Sequence, residues 1–189
     1  FQTNFKMLKH LSVSVGGQYT ETWTGKTIKY NDFNEGVGVV KDTIGGFDRF
    51  GIYNYNASIT TKVYGIINFK PKNKVQSIRH TISPSITYSN NPSFEEYYDT
   101  YIIDANGNTA EYTRFQGGLY NTPGRNYSSS IGLSIKNVIE AKVKPKDSTE
   151  TELKKINIFN NLNISTSYNL AAKEFNLSPI RVNGSIDLA

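Results

Sequence analysis

The sequence contains no cysteine. That excludes disulfides, zinc–thiolate sites and thiol nucleophiles. Its only histidines are His10 and His80, which leaves almost no material for a histidine-based metal site or a catalytic triad. No apolar run approaches the ~18 residues a membrane helix needs, and mean hydropathy is −0.47. The strongest helix formers are scarce, with 7 Ala and 9 Leu against 19 Ile. The chain opens at Phe1, with no Met and no signal-peptide pattern, so it reads as a segment of a longer or processed protein.

What is present fits a pleated surface. Among 189 residues there are 21 Asn, 17 Ser, 17 Thr, 13 Tyr and 10 Phe. β-branched and aromatic residues with polar alternates make an all-β composition. The hydrophobic period is two almost throughout. Tyr53, Tyr55, Ala57, Ile59, Val63, Ile67 and Phe69 alternate with Asn54, Asn56, Ser58, Lys62 and Asn68. Ile78, His80, Ile82, Pro84, Ile86 and Tyr88 oppose Arg79, Thr81, Ser83 and Ser85. The same alternation sets Ile131, Leu133 and Ile135 against Ser130, Ser134 and Lys136, and Ile158, Leu162 and Ile164 against Asn157, Asn161 and Asn163. Strict alternation is the strand signal. It predicts strands near 8–25, 49–69, 75–90, 126–144, 156–170 and 179–189, with essentially no helix.

These strands are longer than the ~5–6 residues usual in globular sheets. The connections alternate in size. Residues 26–48 and 91–125 are long and polar, whereas 70–74 and 145–155 are tighter and 171–178 is short. Long loops on one side and short turns on the other are the habit of outer-membrane barrels. The long loops are therefore placed outside the cell and the turns 70–74 and 145–155 in the periplasm. On the apolar faces, Tyr19, Trp23, Tyr53, Tyr55, Tyr88, Tyr127 and Tyr168 all fall at the strand ends assigned outside. Amphipathic rings favour the headgroup zone, so these seven form an expected aromatic girdle. From Tyr55 to Phe69 a strand rises ~46 Å, or roughly 35 Å along the normal when tilted, which is enough to span the apolar band.

In such a barrel the apolar face meets lipid and the polar face lines a wet lumen. The expected lumen-facing residues include Asn54, Asn56, Ser58, Lys62, Arg79, Ser83, Ser130, Lys136, Asn161 and Asn163. Charges on that face are few, and Glu140, Arg181 and Asp187 complete them. Six strands cannot close a membrane barrel, because known ones start at eight. The segment is therefore expected to continue into neighbouring strands.

Several segments carry a resemblance. Ser77-Ile78-Arg79-His80-Thr81-Ile82-Ser83-Pro84-Ser85-Ile86-Thr87-Tyr88 is followed by Asn91-Pro92-Ser93-Phe94. Tyr120-Asn121-Thr122-Pro123-Gly124 then leads into Ser128–Asn137, and Glu140-Ala141-Lys142-Val143-Lys144 follows. Ser167-Tyr168-Asn169 and Leu177-Ser178-Pro179-Ile180 close the series. In order and spacing these resemble the barrel of the lipopolysaccharide-assembly outer-membrane family LptD (OstA, organic solvent tolerance), in its Bacteroidetes-type form. The resemblance is strongest over 75–182. It implies insertion of lipopolysaccharide into the outer leaflet of a Gram-negative outer membrane. The implied partners are lipopolysaccharide, outer-membrane lipids, an LptE-like lipoprotein plug and periplasmic Lpt bridge proteins. It transfers no functional residue to this chain.

Other features read more plainly. His80 falls on the apolar face beside Pro84, so a bulge or a protein contact is expected there. Asp104-Ala105-Asn106-Gly107-Asn108 faintly resembles a calcium loop, but the ligand spacing fails and a hairpin turn is the simpler reading. Lys70, Lys72, Lys74, Lys142, Lys144, Lys146, Lys154 and Lys155 gather at the short turns. They make a solvated rim or a contact for phosphorylated lipid or acidic partners. Basic and aromatic residues do not interleave on one face, which sets nucleic-acid binding aside.

The sequence thus predicts an all-β fold, an antiparallel up-and-down transmembrane β-barrel present as a partial barrel of about six long strands. It predicts no enzyme, no catalytic residue, no metal and no cofactor. The competing readings are another outer-membrane barrel, either a porin or a nutrient transporter, and a soluble β-sandwich adhesin or carbohydrate-binding module.

Overall fold

The computed structural model describes residues 1–145 and 152–185. The middle of the expected turn 145–155, with Lys146, lies outside the described residues, as do the last residues of the expected strand 179–189. The strands are β1 (Gln2–Met7), β2 (Leu11–Tyr30), β3 (Lys41–Thr60), β4 (Val63–Asn68), β5 (Val75–Asn91), β6 (Tyr98–Ile102), β7 (Thr109–Thr113), β8 (Ser128–Val143), β9 (Lys154–Asn169) and β10 (Arg181–Ser185). A single 3₁₀ turn, Glu95–Tyr97, precedes β6. Among the described residues no helix is long and apolar enough to cross a membrane.

Eight of the strands form one sheet in the order β1-β2-β3-β5-β8-β9-β10, with β4 also paired to β5. This is an up-and-down meander, and β6 and β7 form a separate antiparallel hairpin. The chain divides into two compact units. One comprises 1–16, 56–89 and 129–189, and the other 17–55 and 90–128.

In the first unit, β1 pairs antiparallel with β2 from Gln2↔Gly16 to Met7↔Leu11. The turn between them places Leu8 and Lys9 at φ 50° and 62°. Two consecutive left-handed residues match the twist of a tight hairpin. The turn carries no Gly, Asn or Pro, and β1 was not expected from the sequence. The expected single strand 49–69 is divided at Thr61–Lys62 into β3 and β4. The cause lies on the neighbouring strand. Val63 pairs with Ile82, so Thr61 comes opposite Pro84. The Thr61 amide donates to the Pro84 carbonyl at 3.2 Å, but Pro84 has no N–H to return. β8 and β9 run antiparallel from Ser130↔Asn169 to Val143↔Lys154, with register shifts between Asn137 and Glu140.

In the second unit the expected loop 26–48 contracts to residues 31–40, because β2 and β3 extend to Tyr30 and back from Lys41. The expected loop 91–125 folds on itself. Gly107 sits at φ 81° between β6 and β7, and the Asp104 carboxylate accepts the amides of Asn106 and Asn108 at 2.9 and 3.1 Å. This is the hairpin turn read from Asn106-Gly107. The hairpin folds back onto β2, where the Ile28 amide donates to the Arg114 carbonyl at 2.9 Å. The Tyr98 hydroxyl donates to the carbonyl of fully buried Pro123 at 2.6 Å. Ile28, Phe50, Phe94, Tyr112 and Phe115 are buried here. Phe50 meets the ring of Phe115 at 4.6 Å, and Tyr30 stacks on Tyr101 at 4.5 Å. The large apolar side chains buried among the described residues all belong to this unit. In the first unit the buried apolar residue among the described residues is Ala141.

Candidate functional site

The first unit keeps its chemistry on one face of the sheet. Pairing of Lys6 with Ser12 puts their side chains on the same face as the even positions of β2, since directly paired residues share a face. On that face an open cleft of about 660 Å³ lies where β3 gives way to β4. Its cationic side chains are Lys6, Lys9, Lys62 and Lys136, joined by His10. Its hydroxyls come from Ser12, Thr60, Thr61, Tyr64, Thr81 and Ser83, and Val138 completes the wall. No carboxylate among the described residues lines it. The Thr61 hydroxyl donates to the His10 carbonyl at 2.8 Å, tying the β1–β2 turn to the break. The four lysines make no ion pair among the described residues.

A second cleft, of about 390 Å³, lies closer to the turn 69–74 and is lined in part by Asn68, Ser77, Arg79, Glu140, Lys142 and Lys155. Here the charges are balanced. Arg79 on β5 and Lys155 on β9 both pair with Glu140 on the strand between them, and Arg79 Nε donates to Glu140 Oε2 at 2.6 Å. The Glu140 side chain is only 11% exposed, whereas Arg79 and Lys155 are 49% and 56% exposed. The carboxylate is thus enclosed by cations that remain open to solvent. Nearby, the Lys144 amide donates to the Lys74 carbonyl at 2.9 Å, which joins two of the lysine-bearing turns.

Lys62, Ser83 and Lys136, expected to face a lumen, meet in the first cleft, and Arg79 lies in the second. The other expected positions are dispersed. Asn56 packs over Gly16, where a Cβ would come within 3.1 Å of its side-chain oxygen. Ser58 lines a shallow groove beside Lys6 and Ser12. Ser130 Oγ shares a hydrogen bond with Ser89 Oγ at 3.0 Å, and Asn163 Oδ1 accepts from Ser134 Oγ at 3.1 Å. Asn161 Oδ1 is buried without a hydrogen-bond partner. Asn54 lies half-buried on β3 in the second unit. Lys6, Lys9 and Glu140's two partners were not foreseen as groups, because each assembles from strands far apart in sequence.

The opposite, apolar face is open. Val63, Ile67, Leu133, Ile135, Ile164 and Val182 are exposed, Val63 to 54% and Ile67 to 62%. His80 lies on this face without a bulge in its own strand, since it pairs regularly with Gly65. Its Nε2 shares a hydrogen bond with Asn137 Oδ1 at 2.9 Å. The irregularity lies in the β8–β9 pairing, where β9 carries the extra residues between Leu162 and Asn157, and Asn137 Nδ2 donates to the Leu162 carbonyl at 3.3 Å.

Of the aromatics expected as a girdle, Tyr19, Trp23, Tyr53, Tyr55, Tyr127 and Tyr168 are exposed, and Tyr88 is half-buried. Tyr19 and Trp23 both donate to the Glu21 carboxylate, at 2.9 and 2.6 Å, and Arg49 pairs with it at 2.9 Å. The Tyr19 ring lies across Gly51, where a Cβ would come within 2.6 Å of its hydroxyl oxygen. Tyr53 packs edge-on against Phe94 at 5.5 Å. Tyr127 accepts from Asn90 at 3.1 Å, and Tyr88 from Ser129 at 3.4 Å.

In the hairpin, hydrogen bonds from the Asn108 side chain and nearby amides hold the Asp104 carboxyl below its usual range. Among the described residues no group of three or more His, Asp or Glu is placed to hold a metal ion. The described polar face offers cations, amides and hydroxyls, which suit binding of an anionic, hydroxyl-rich molecule without covalent chemistry.

A family described as LptD protein matches residues 1–189. No curated protein and no solved structure gives a match.

Proposed function

The chain belongs to the LptD family, and from that membership we propose that it forms part of a transmembrane outer-membrane β-barrel that inserts lipopolysaccharide into the outer leaflet. The mechanism is that of a conduit and scaffold. The observation that carries the membrane part is the inverted burial of the sheet. Its apolar side chains are open and its polar face carries the clefts. A soluble sheet covers its apolar face, at about 25 cal/mol per Å² removed from water. A membrane barrel turns that face to lipid.

On this reading Asn54, Asn56, Ser58, Lys62, Arg79, Ser83, Ser130, Lys136, Asn161 and Asn163 face the lumen. The girdle residues, from Tyr19 to Tyr168, sit at the outer interface, and the parts of β2 and β3 beyond them project outside with the hairpin. The short turns meet the periplasm. Partners are lipopolysaccharide, an LptE-like lipoprotein plug and periplasmic Lpt bridge proteins, and the motif order favours the Bacteroidetes-type form of the family.

These 189 residues contain no cysteine, so labelling reports the introduced positions once any cysteine elsewhere in the protein is replaced. Single cysteines are placed at Ile59, Leu133 and Ile164, and at Ser58, Ser134 and Asn163, in the intact protein in lipid bilayers. A membrane-soluble maleimide labels the first set and a membrane-impermeant one the second. The opposite pattern overturns the barrel reading. Crosslinking of lipopolysaccharide from lumen positions in cells, and its loss from the surface on depletion, tests the transport step.

A further inference from the structure

We propose that the cleft at the β3–β4 break is a binding site for the phosphate groups of a phosphorylated glycolipid, held by Lys6, Lys9, Lys62 and Lys136. The assignment rests on the transport reading for its ligand source and on the cleft itself for its chemistry.

The four ammonium groups arrive from β1, the β1–β2 turn, the β3–β4 break and β8. Only tertiary structure gathers them. Like charges brought together oppose folding unless a counter-charge is supplied. The same sheet supplies one in the other cleft, where Glu140 answers Arg79 and Lys155. At the break no described residue supplies one, which leaves the counter-charge to a ligand. Lysines act as mobile point charges suited to phosphate. The hydroxyls of Thr81 and Ser83 beside them are suited to phosphate or sugar oxygens. Tyr64 and the His10 imidazole are the rings in the wall, too few to make a run of platforms for a nucleic-acid strand. Val138 is its one aliphatic residue, which gives little anchorage for an acidic peptide.

The site is built. Pro84 holds the strand open, and the Thr61–His10 hydrogen bond fixes Lys62 beside the turn that carries Lys9.

The test uses the intact protein in detergent, with bis-phosphorylated lipid A, its phosphatase-treated counterpart and inorganic pyrophosphate. The Lys62→Gln/Lys136→Gln variant is expected to bind the phosphorylated lipid about tenfold more weakly, the scale of one or two charge-assisted hydrogen bonds. It binds the dephosphorylated lipid like wild type. Lys62→Arg/Lys136→Arg retains discrimination, which separates charge from folding, and Lys173→Gln, outside both clefts, leaves it unchanged. Equal discrimination by wild type and K62Q/K136Q overturns the proposal, and the transport reading survives if lipopolysaccharide is still delivered. Pyrophosphate binding that depends on Lys62 and Lys136, with no binding of either lipid, overturns the glycolipid assignment and the transport reading together while marking a free-phosphate site.

Discussion

Thr61 and Pro84 face each other across neighbouring strands with one hydrogen bond, from the Thr61 amide to the Pro84 carbonyl at 3.2 Å. The missing partner N–H divides an otherwise continuous strand and opens the polar face beside Lys62. Replacing Pro84 by Val restores the donor. The expected result is a continuous ladder from β3 into β4, read as new protection of the residue 84 amide in hydrogen exchange. A net backbone hydrogen bond contributes about 1 kcal/mol, partly offset by the greater freedom proline's loss gives the unfolded chain.

Glu140 holds Arg79 and Lys155 at once. Glu140→Gln leaves two neighbouring cations without their counter-charge. Both are about half exposed, so solvent screening limits the loss to about 1–2 kcal/mol. Denaturant unfolding in detergent measures it. A double-mutant cycle with Arg79→Gln is expected to show coupling, because the two changes remove the same contact.

The hairpin should respond to acid in a defined direction. Arg114 Nε donates to Asp48 Oδ2 at 2.7 Å and holds the Asp48 carboxyl below its usual range. Asp104 is lowered as well, by the Asn108 side chain. Both lie outside the segments read as membrane-spanning. A depressed folded pKa stabilises above the unfolded value of about 3.9, and that stabilisation is lost as pH falls through the folded value. The loop 92–127 is therefore fully held at neutral pH and loosens only in acid below about pH 4. Asp48→Asn removes its share of the acid response, leaving that anchorage weakened at every pH, as amide exchange of residues 109–113 will report.

Phe115 anchors the same loop between Phe50 and the Arg114 guanidinium, at 4.6 Å from each. Phe115→Ala is expected to cost about 3 kcal/mol through lost burial and the cavity left behind. The loss should appear as faster exchange across β6 and β7, with β8 and β9 unchanged. Uniform loss across both units contradicts a local core.

Much of the fold was legible because alternation is a local signal. Ile131, Leu133 and Ile135 announce β8 from within β8, and Asn106-Gly107 announces its own hairpin. What escaped depends on distant or unusual partners. The division at Thr61–Lys62 is invisible in a segment whose alternation continues unbroken, since its cause is Pro84. β1 escaped because Leu8 and Lys9 make a left-handed turn without the residues that usually signal one. Lys62 and Lys136 were placed on one polar face by their parity. Their company with Lys6 and Lys9 required strand order and the unforeseen β1. The packing of 92–127 onto β2 was hidden because Phe94, Tyr112 and Phe115 lie in a stretch without periodicity.

The meander also predicts an order of assembly. Its consecutive strands are joined by short connections at 8–10, 31–40 and 69–74, whereas β5 reaches β8 only across 92–127. Closing that sixfold longer span than 69–74 costs about 1.6 kcal/mol more in chain entropy. The β6–β7 hairpin shortens the free span once formed. Zipping of β5 onto β8 is then expected to come late, joining a ribbon that ends at Asn91 to one that starts at Ser128. Any factor that binds 92–127 before that moment is expected to change the rate of sheet assembly and leave the finished sheet unchanged.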